Sequence, residues 1–260
     1  MARTLSNVDL VYVDYGDESF QNPKENYPVK KADAIQGDGT ALENKLCDVY
    51  LTAFYCHNLP DWDSVNEALL KFGTKYVPQK AGDVKSEQKA NFTIDFRIRD
   101  ASAPGGFLHR RVFKNLKIND ELALEIKLDE IDKKYDIDPI VKTISNTNIS
   151  SVLDLAGYTQ YIELGSQIYN GFAELVLRDD PIWNEPNIIL RKKISSAGSG
   201  AAALKQGTYC LVSTTDTKGN NLRNWESDYS NVFFKGKHLY LGKNGKRLST
   251  NYLVFSFDFH

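Results

Sequence analysis

Tyr252-Leu253-Val254-Phe255-Ser256-Phe257-Asp258-Phe259 closes the chain with Leu253, Phe255, Phe257 and Phe259 at every second position. Successive side chains of a strand point to opposite faces, so this spacing turns four large apolar groups to one side of a sheet. A terminal segment this apolar is expected to be paired inside a sheet. The same period recurs upstream. Val8, Leu10 and Tyr12 share a face, and Phe92, Ile94, Phe96 and Ile98 alternate with Thr93, Asp95, Arg97 and Arg99. Leu122, Leu124, Ile126 and Leu128 alternate with Ala123, Glu125 and Lys127. Residues 47–55 are apolar on both faces, the pattern of a central strand. Further strands are read at 107–113, 172–177, 187–194 and 208–213. His238–Leu241 and Lys246–Leu248 read as a hairpin about Asn244-Gly245.

Helical signals are few. Ser64-Val65-Asn66-Glu67 has the spacing of a capping box, in which the Ser hydroxyl and the Glu carboxylate satisfy first-turn donors. Val65, Leu69 and Phe72 then share a helical face and Gly73 ends it, which predicts a helix over 64–72. Asp138-Pro139 is a good helix start, and 150–161 reads as a second short helix. The polar stretches 16–42, 74–90 and 214–230 read as long loops, and Ala197–Ala203 as a flexible connection between strands. The expected fold is mainly β: an antiparallel β-sandwich, or two β subdomains, with one to three short helices. Residues 1–137 form a sandwich-like part and 138–168 a helical or loop connection. Residues 169–260 form a second β part or complete the same sandwich.

Composition narrows the class. Hydrophobic residues make up 42% and charged residues 25%, which excludes general disorder. The chain has 14 Tyr and 13 Phe but a single Met, a bias that suits pleated surfaces over helical cores. Thirty-two basic residues against 34 acidic ones give a net charge of −2, not the basic excess of a nucleic-acid binder. The basic run Leu190-Arg191-Lys192-Lys193 is too short to change that. Cys47, Cys56 and Cys210 are odd in number and lie in apolar strand contexts, so buried reduced thiols are expected. With no apolar leader and no membrane-length apolar run, the expected location is the cytoplasm. Cys56-His57 raises a nucleophile or metal ligand, but no second Cys or His stands at zinc spacing.

Two features carry binding chemistry. Asp61 and Asp63 follow one apolar strand, and Asp129, Asp132 and Asp136 follow another. Hard cations need several oxygen ligands on such loops, so these five are the candidate calcium ligands, calcium being the one cofactor considered. Asn58-Leu59-Pro60-Asp61-Trp62-Asp63 and Leu124-Glu125-Ile126-Lys127-Leu128-Asp129 resemble the calcium-dependent phospholipid-binding β-sandwiches of synaptotagmin and protein kinase C type. The resemblance spans residues 47–140 and implies calcium held between acidic loops and lipid. It departs from that family in the spacing of Asp129 and Asp132 and in Lys133 and Lys134 among the carboxylates. Trp62, Trp183 and Trp225 stand in loop-like contexts beside Asp or Asn and are candidate partner anchors, or lids over the sandwich ends.

These features favour a non-enzymatic interaction or assembly protein, with long loops meeting a protein partner or a second copy. The alternative is membrane engagement, by calcium-dependent docking or by oligomeric insertion of hairpins. If the acidic positions hold calcium, thermal stability should rise by ~2.7 kcal/mol when calcium exceeds its dissociation constant a hundredfold. Asp61→Asn and Asp129→Asn should each remove that rise, and Asp95→Asn should not. Melting in calcium against chelator measures it.

Overall fold

The computed structural model describes residues 8–16, 26–35, 39–57, 66–78, 88–98, 110–131, 181–193, 201–215 and 220–260. Those residues build thirteen strands and two 3-10 turns. Eight strands form one sheet. They are β1 (Val8–Val13), β2 (Tyr27–Lys31), β3 (Cys47–Tyr55), β6 (Arg110–Leu116), β10 (Gly207–Ser213), β11 (Val232–Lys235), β12 (His238–Leu241) and β13 (Tyr252–Phe259), in the order β12-β11-β2-β1-β10-β13-β3-β6. Five strands form the other: β4 (Asn66–Pro78), β5 (Gln88–Ile98), β7 (Ile118–Ile131), β8 (Pro181–Arg191) and β9 (Ala202–Ala203), in the order β5-β4-β7-β8-β9. Neighbours are antiparallel except β8 and β9. Each sheet takes strands from both sides of residues 138–168.

The terminal strand lies where its pattern puts it, between β10 and β3. Leu253, Phe255, Phe257 and Phe259 enter one buried cluster, and Tyr252 and Val254 enter a second on the opposite face. The first cluster contains residues of both sheets. Phe255 lies 5.3 Å from Phe72 of β4, and Phe54 of β3 meets Trp183 of β8 edge-on at 5.5 Å. The second cluster forms because the eight-stranded sheet curls into a half-barrel. Val232, Phe234 and Leu239 thereby share a core with Val11, Ala53, Cys210 and Val254.

The helix expected at 64–72 is overturned: residues 66–72 belong to β4, and Ser64 lies outside the described residues. Read at period two, Ala68, Leu70 and Phe72 are the buried set. Short apolar runs satisfy helical and strand spacing alike, and pairing with β5 on one side and β7 on the other decides it. Gly73 is no helix stop. A Cβ there would meet Asn91 Oδ1 at 2.6 Å and Glu125 Cβ at 3.4 Å, so it lets neighbouring strands' side chains close over the backbone.

Two loop readings are also corrected. The stretch 16–42 contains β2, whose Tyr27 and Val29 are buried. Pro28 disguises it by removing one ladder donor, while its carbonyl still accepts from Asp14 N at 2.9 Å. Within 74–90, β4 runs on to Pro78 and β5 begins at Gln88. Ala201, Ala202 and Ala203, read as part of a flexible connection, are buried, and the last two form β9. The helices expected after Asp138 and at 150–161, and the strand at 172–177, lie outside the described residues. Among the described residues, no helix is long and apolar enough to cross a membrane, which says nothing of strands.

Phe255 is fully buried against Phe72, Tyr209 and Phe257. Phe255→Ala should therefore cost about 3–5 kcal/mol, read as a fall in the urea midpoint at unchanged slope.

Candidate functional site

Lys192, Asp48 and Lys71 bring charge to the edge of the core, and each meets a partner within the fold. Lys192 is 3% exposed, and its Nζ donates to the carbonyls of Ile118 at 2.8 Å and Leu42 at 3.1 Å. Burial holds its pKa below the usual lysine value. Asp48 is 4% exposed; its carboxylate accepts from Arg111 Nη1 at 3.0 Å and from the Asn115 amide at 2.7 Å. Lys71 Nζ meets Glu125 Oε1 at 2.5 Å. The run at 191–193 is likewise consumed: Arg191 pairs with Glu121 and Lys193 with Glu43. Cys47, Cys56 and Cys210 are buried free thiols, as expected, and burial pushes Cys47 and Cys210 far above the ordinary thiol pKa. Beside Cys56, the His57 amide donates to Asn251 Oδ1 at 2.7 Å.

Of the expected calcium ligands, Asp61, Asp63, Asp132 and Asp136 lie outside the described residues. Asp129 is not on a loop: it is a register position within β7, opposite Leu69 of β4 and Pro181 of β8. Among the described residues, no group of three or more His, Cys, Asp or Glu could hold a metal ion. Trp62 lies outside the described residues. The loop context of Trp183 is corrected: it sits in β8, 2% exposed, its indole N–H donating to Ser213 Oγ at 2.5 Å. Trp225 is 6% exposed and packs against Tyr229 at 5.9 Å. Neither indole presents its ring to solvent, so neither is placed as a partner anchor in this conformation. Aromatic size alone cannot separate an anchor from a core residue.

Two surfaces stand out among the described residues. One is the outer edge of β5: among the described residues this 11-residue strand pairs only with β4. The other is the hairpin of β11 and β12. Its loop is Gly236-Lys237, at φ 54° and 73°, closed by the pair Lys235 and His238. Two successive positive φ values make a type I′ turn, whose twist suits a two-residue hairpin. Val232, Phe234 and Leu239 face the core, while Phe233 and Tyr240 are direct cross-strand partners and half-buried. The chain then turns through Gly242-Lys243-Asn244-Gly245 and returns along β12, with Leu248 N donating to Leu239 O at 2.8 Å and Leu241 N to Lys246 O at 3.0 Å. A Cβ at Gly245 would overlap the Leu241 carbonyl, so this turn requires glycine.

Comparison with known protein families, with curated proteins and with solved structures returned no match. The chemistry of these surfaces therefore stands on their own residues.

Lys235, Lys243 and Lys246 are exposed and Lys237 half-exposed. Among the described residues none of the four forms an ion pair. Lys243 Nζ lies 5.8 Å from the centroid of the Phe233 ring. Arg247 is turned inward, its guanidinium 4.9 Å from the Tyr55 centroid. These lysines form no unbroken basic run in the sequence, so a cluster does not announce them there. Their signal is the stretch 229–257, which holds five Lys and Arg and no Asp or Glu.

Under the hairpin, Tyr55 stacks on Tyr252 at 5.0 Å and His238 Nδ1 lies 3.1 Å from Tyr252 Oη. That oxygen also accepts from the Leu239 amide at 3.3 Å, so the hydroxyl joins the imidazole to the hairpin backbone. Burial first, then the charges of Arg247 and Lys237, pull the His238 pKa down to about 4. Above the unfolded value of about 6.5, both states hold the ring neutral and stability is full. Between 6.5 and about 4 only the unfolded chain takes up the proton, so stability falls as pH falls. His238→Gln should flatten that part of the profile, read as a smaller drop in melting temperature between neutral pH and pH 4.5 than the parent shows.

Proposed function

We propose that this chain is a non-catalytic assembly protein, a two-sheet antiparallel sandwich that joins a second copy through the outer edge of β5. The sandwich reading is supported by the apolar cluster that draws on both sheets. The observation that carries the assembly reading is the contrast among sheet edges. At the β12 edge, residues 246–248 cover the strand. The edge at β9 is two residues long, and at β6 the register with β3 shifts twice. β5 offers 11 residues in unbroken register with β4 from Gln88 to Ile98. A long regular edge is a template for another strand unless it is shortened, bulged or covered.

The sequence of β5 favours its own copy as that strand. In a two-fold antiparallel pair, residues equidistant from the centre face one another, and apolar positions meet apolar ones only when the centre falls on a residue. Centring on Phe92 places Ala90 opposite Ile94 and Asn91 opposite Thr93. It also sets Lys89 opposite Asp95 twice. Centring on Thr93 would set Lys89 opposite Arg97, and centring on Asp95 would set that carboxylate against itself. Opposite charges directly across strands contribute about 0.2–1 kcal/mol each, and like charges oppose pairing.

Light scattering coupled to size exclusion should report a dimer. Lys89→Asp should shift it to monomer by facing two carboxylates, and adding Asp95→Lys should restore the dimer. Unchanged melting temperatures would show that the variants fold. A parent that is monomeric throughout the accessible concentration range, or a Lys89→Asp variant that stays dimeric, overturns the reading.

A further inference from the structure

We propose that the β11–β12 hairpin is a docking surface for an anionic lipid bilayer, with Lys235, Lys237, Lys243 and Lys246 meeting the headgroups. This goes beyond the assembly reading and does not depend on it, since the hairpin and the β5 edge belong to different sheets.

Four observations converge. First, the charge is local: the chain as a whole is balanced at −2, yet 229–257 carries cations alone. Second, the cations sit at both ends of one short hairpin, Lys235 and Lys237 about one turn and Lys243 and Lys246 about the other. A bilayer presents its phosphates as a plane, and a hairpin lying along it engages both ends together. Third, Phe233 and Tyr240 lie side by side between those ends on the face turned away from the core. Half-buried aromatic rings among lysines suit the headgroup layer, where an apolar body meets a polar boundary. Fourth, Lys237 stands at φ 73°, in a turn where Gly, Asn or Asp adopts that conformation with less strain. Lysine at the tip works against the local fold, and a contact outside the fold accounts for it.

A single-stranded nucleic acid is the competing polyanion, and the ring geometry disfavours it. Such strands bind by stacking bases on open aromatic faces. The Phe233 face already has the Lys243 ammonium over it, which presents a charge rather than a stacking platform.

The test is co-sedimentation of the full chain with phosphatidylcholine vesicles, with and without about 30% phosphatidylserine, and with a single-stranded oligonucleotide in a parallel arm. The expected result is binding to the anionic vesicles only, weakening as salt rises. Each lysine near the surface is worth about fivefold in affinity, so Lys243→Gln and Lys246→Gln should each weaken binding by that factor. Lys193→Gln, on an exposed lysine paired with Glu43, should leave it unchanged. Lys237→Asn separates binding from folding: it should melt at or above the parent temperature and still bind about fivefold more weakly. Lys89→Asp, which tests assembly, should not remove vesicle binding. No sedimentation with anionic vesicles at low salt, binding indifferent to Lys237, Lys243 and Lys246, or preference for the oligonucleotide overturns the proposal.

Discussion

β13 is hydrogen-bonded along both edges and buried on both faces, and the other strands are arranged around that condition. A strand so enclosed must put apolar groups on alternate sides while every backbone donor and acceptor finds a neighbouring strand. Antiparallel pairing with β10 and β3 meets the second demand. The first needs two cores. One arises where Phe255 and Phe257 face β4 of the other sheet, and the other where the eight-stranded sheet curls so that β11 and β12 come over Val254 and Tyr252. The hairpin is therefore no appendage: its inner residues complete the second core while its outer residues stand free of it.

Several polar groups drawn into these cores are matched within the fold. Thr250 Oγ1 donates to Ser213 O at 2.7 Å, Tyr209 Oη donates to Ala203 O at 2.6 Å, and Tyr15 Oη donates to Thr208 Oγ1 at 2.8 Å. Lys192 ties β7 to the 3-10 turn at 39–42 through two carbonyls. A buried ammonium held by neutral acceptors, with burial opposing its charge, is a structural clamp whose removal would take a donor from both carbonyls, that of Leu42 keeping the Lys45 amide. At Gly207, with φ 132°, a Cβ would come within 2.9 Å of Tyr12 Oη, so glycine there lets the Tyr12 hydroxyl pass and reach the Gln206 carbonyl.

Strands whose two faces differ sharply were legible in the sequence, and those whose pattern was shared or interrupted were not. Leu122, Leu124, Ile126 and Leu128 alternate with small or charged neighbours, and the structure buries those four. β4 escaped because Ala68, Leu70 and Phe72 at period two overlap Leu69 and Phe72 at helical spacing, and only the partners β5 and β7 break the tie. β2 escaped because Pro28 reads as an interruption, although its missing donor harms nothing once its carbonyl is used. Trp183 and Trp225 looked like loop anchors because Asp or Asn stands nearby in the sequence, yet both indoles are buried, as large aromatic groups in a core are. The basic surface was hidden in a different way. Its lysines are scattered over the twelve residues from Lys235 to Lys246, and only the two turns bring them to one hairpin.

The charge of that hairpin is not something the fold requires. Within 229–257, burial explains why β13 between Tyr252 and Phe257 carries no carboxylate, since those side chains are enclosed. It does not explain the same absence at Lys235, Lys243, Asn244 and Lys246, which are exposed and tolerate either sign of charge. Nor do local propensities ask for lysine at 237, where the backbone favours Gly or Asn. The lysines instead repel one another along a short hairpin, a small cost that opposite charges at any of these positions would remove. Arg247 marks the boundary between the two regimes: its guanidinium is spent on Tyr55 inside the fold, while none of the four lysines around it forms an ion pair among the described residues. Where neither packing nor turn chemistry selects a set of like charges, an anionic surface outside the molecule supplies the missing constraint.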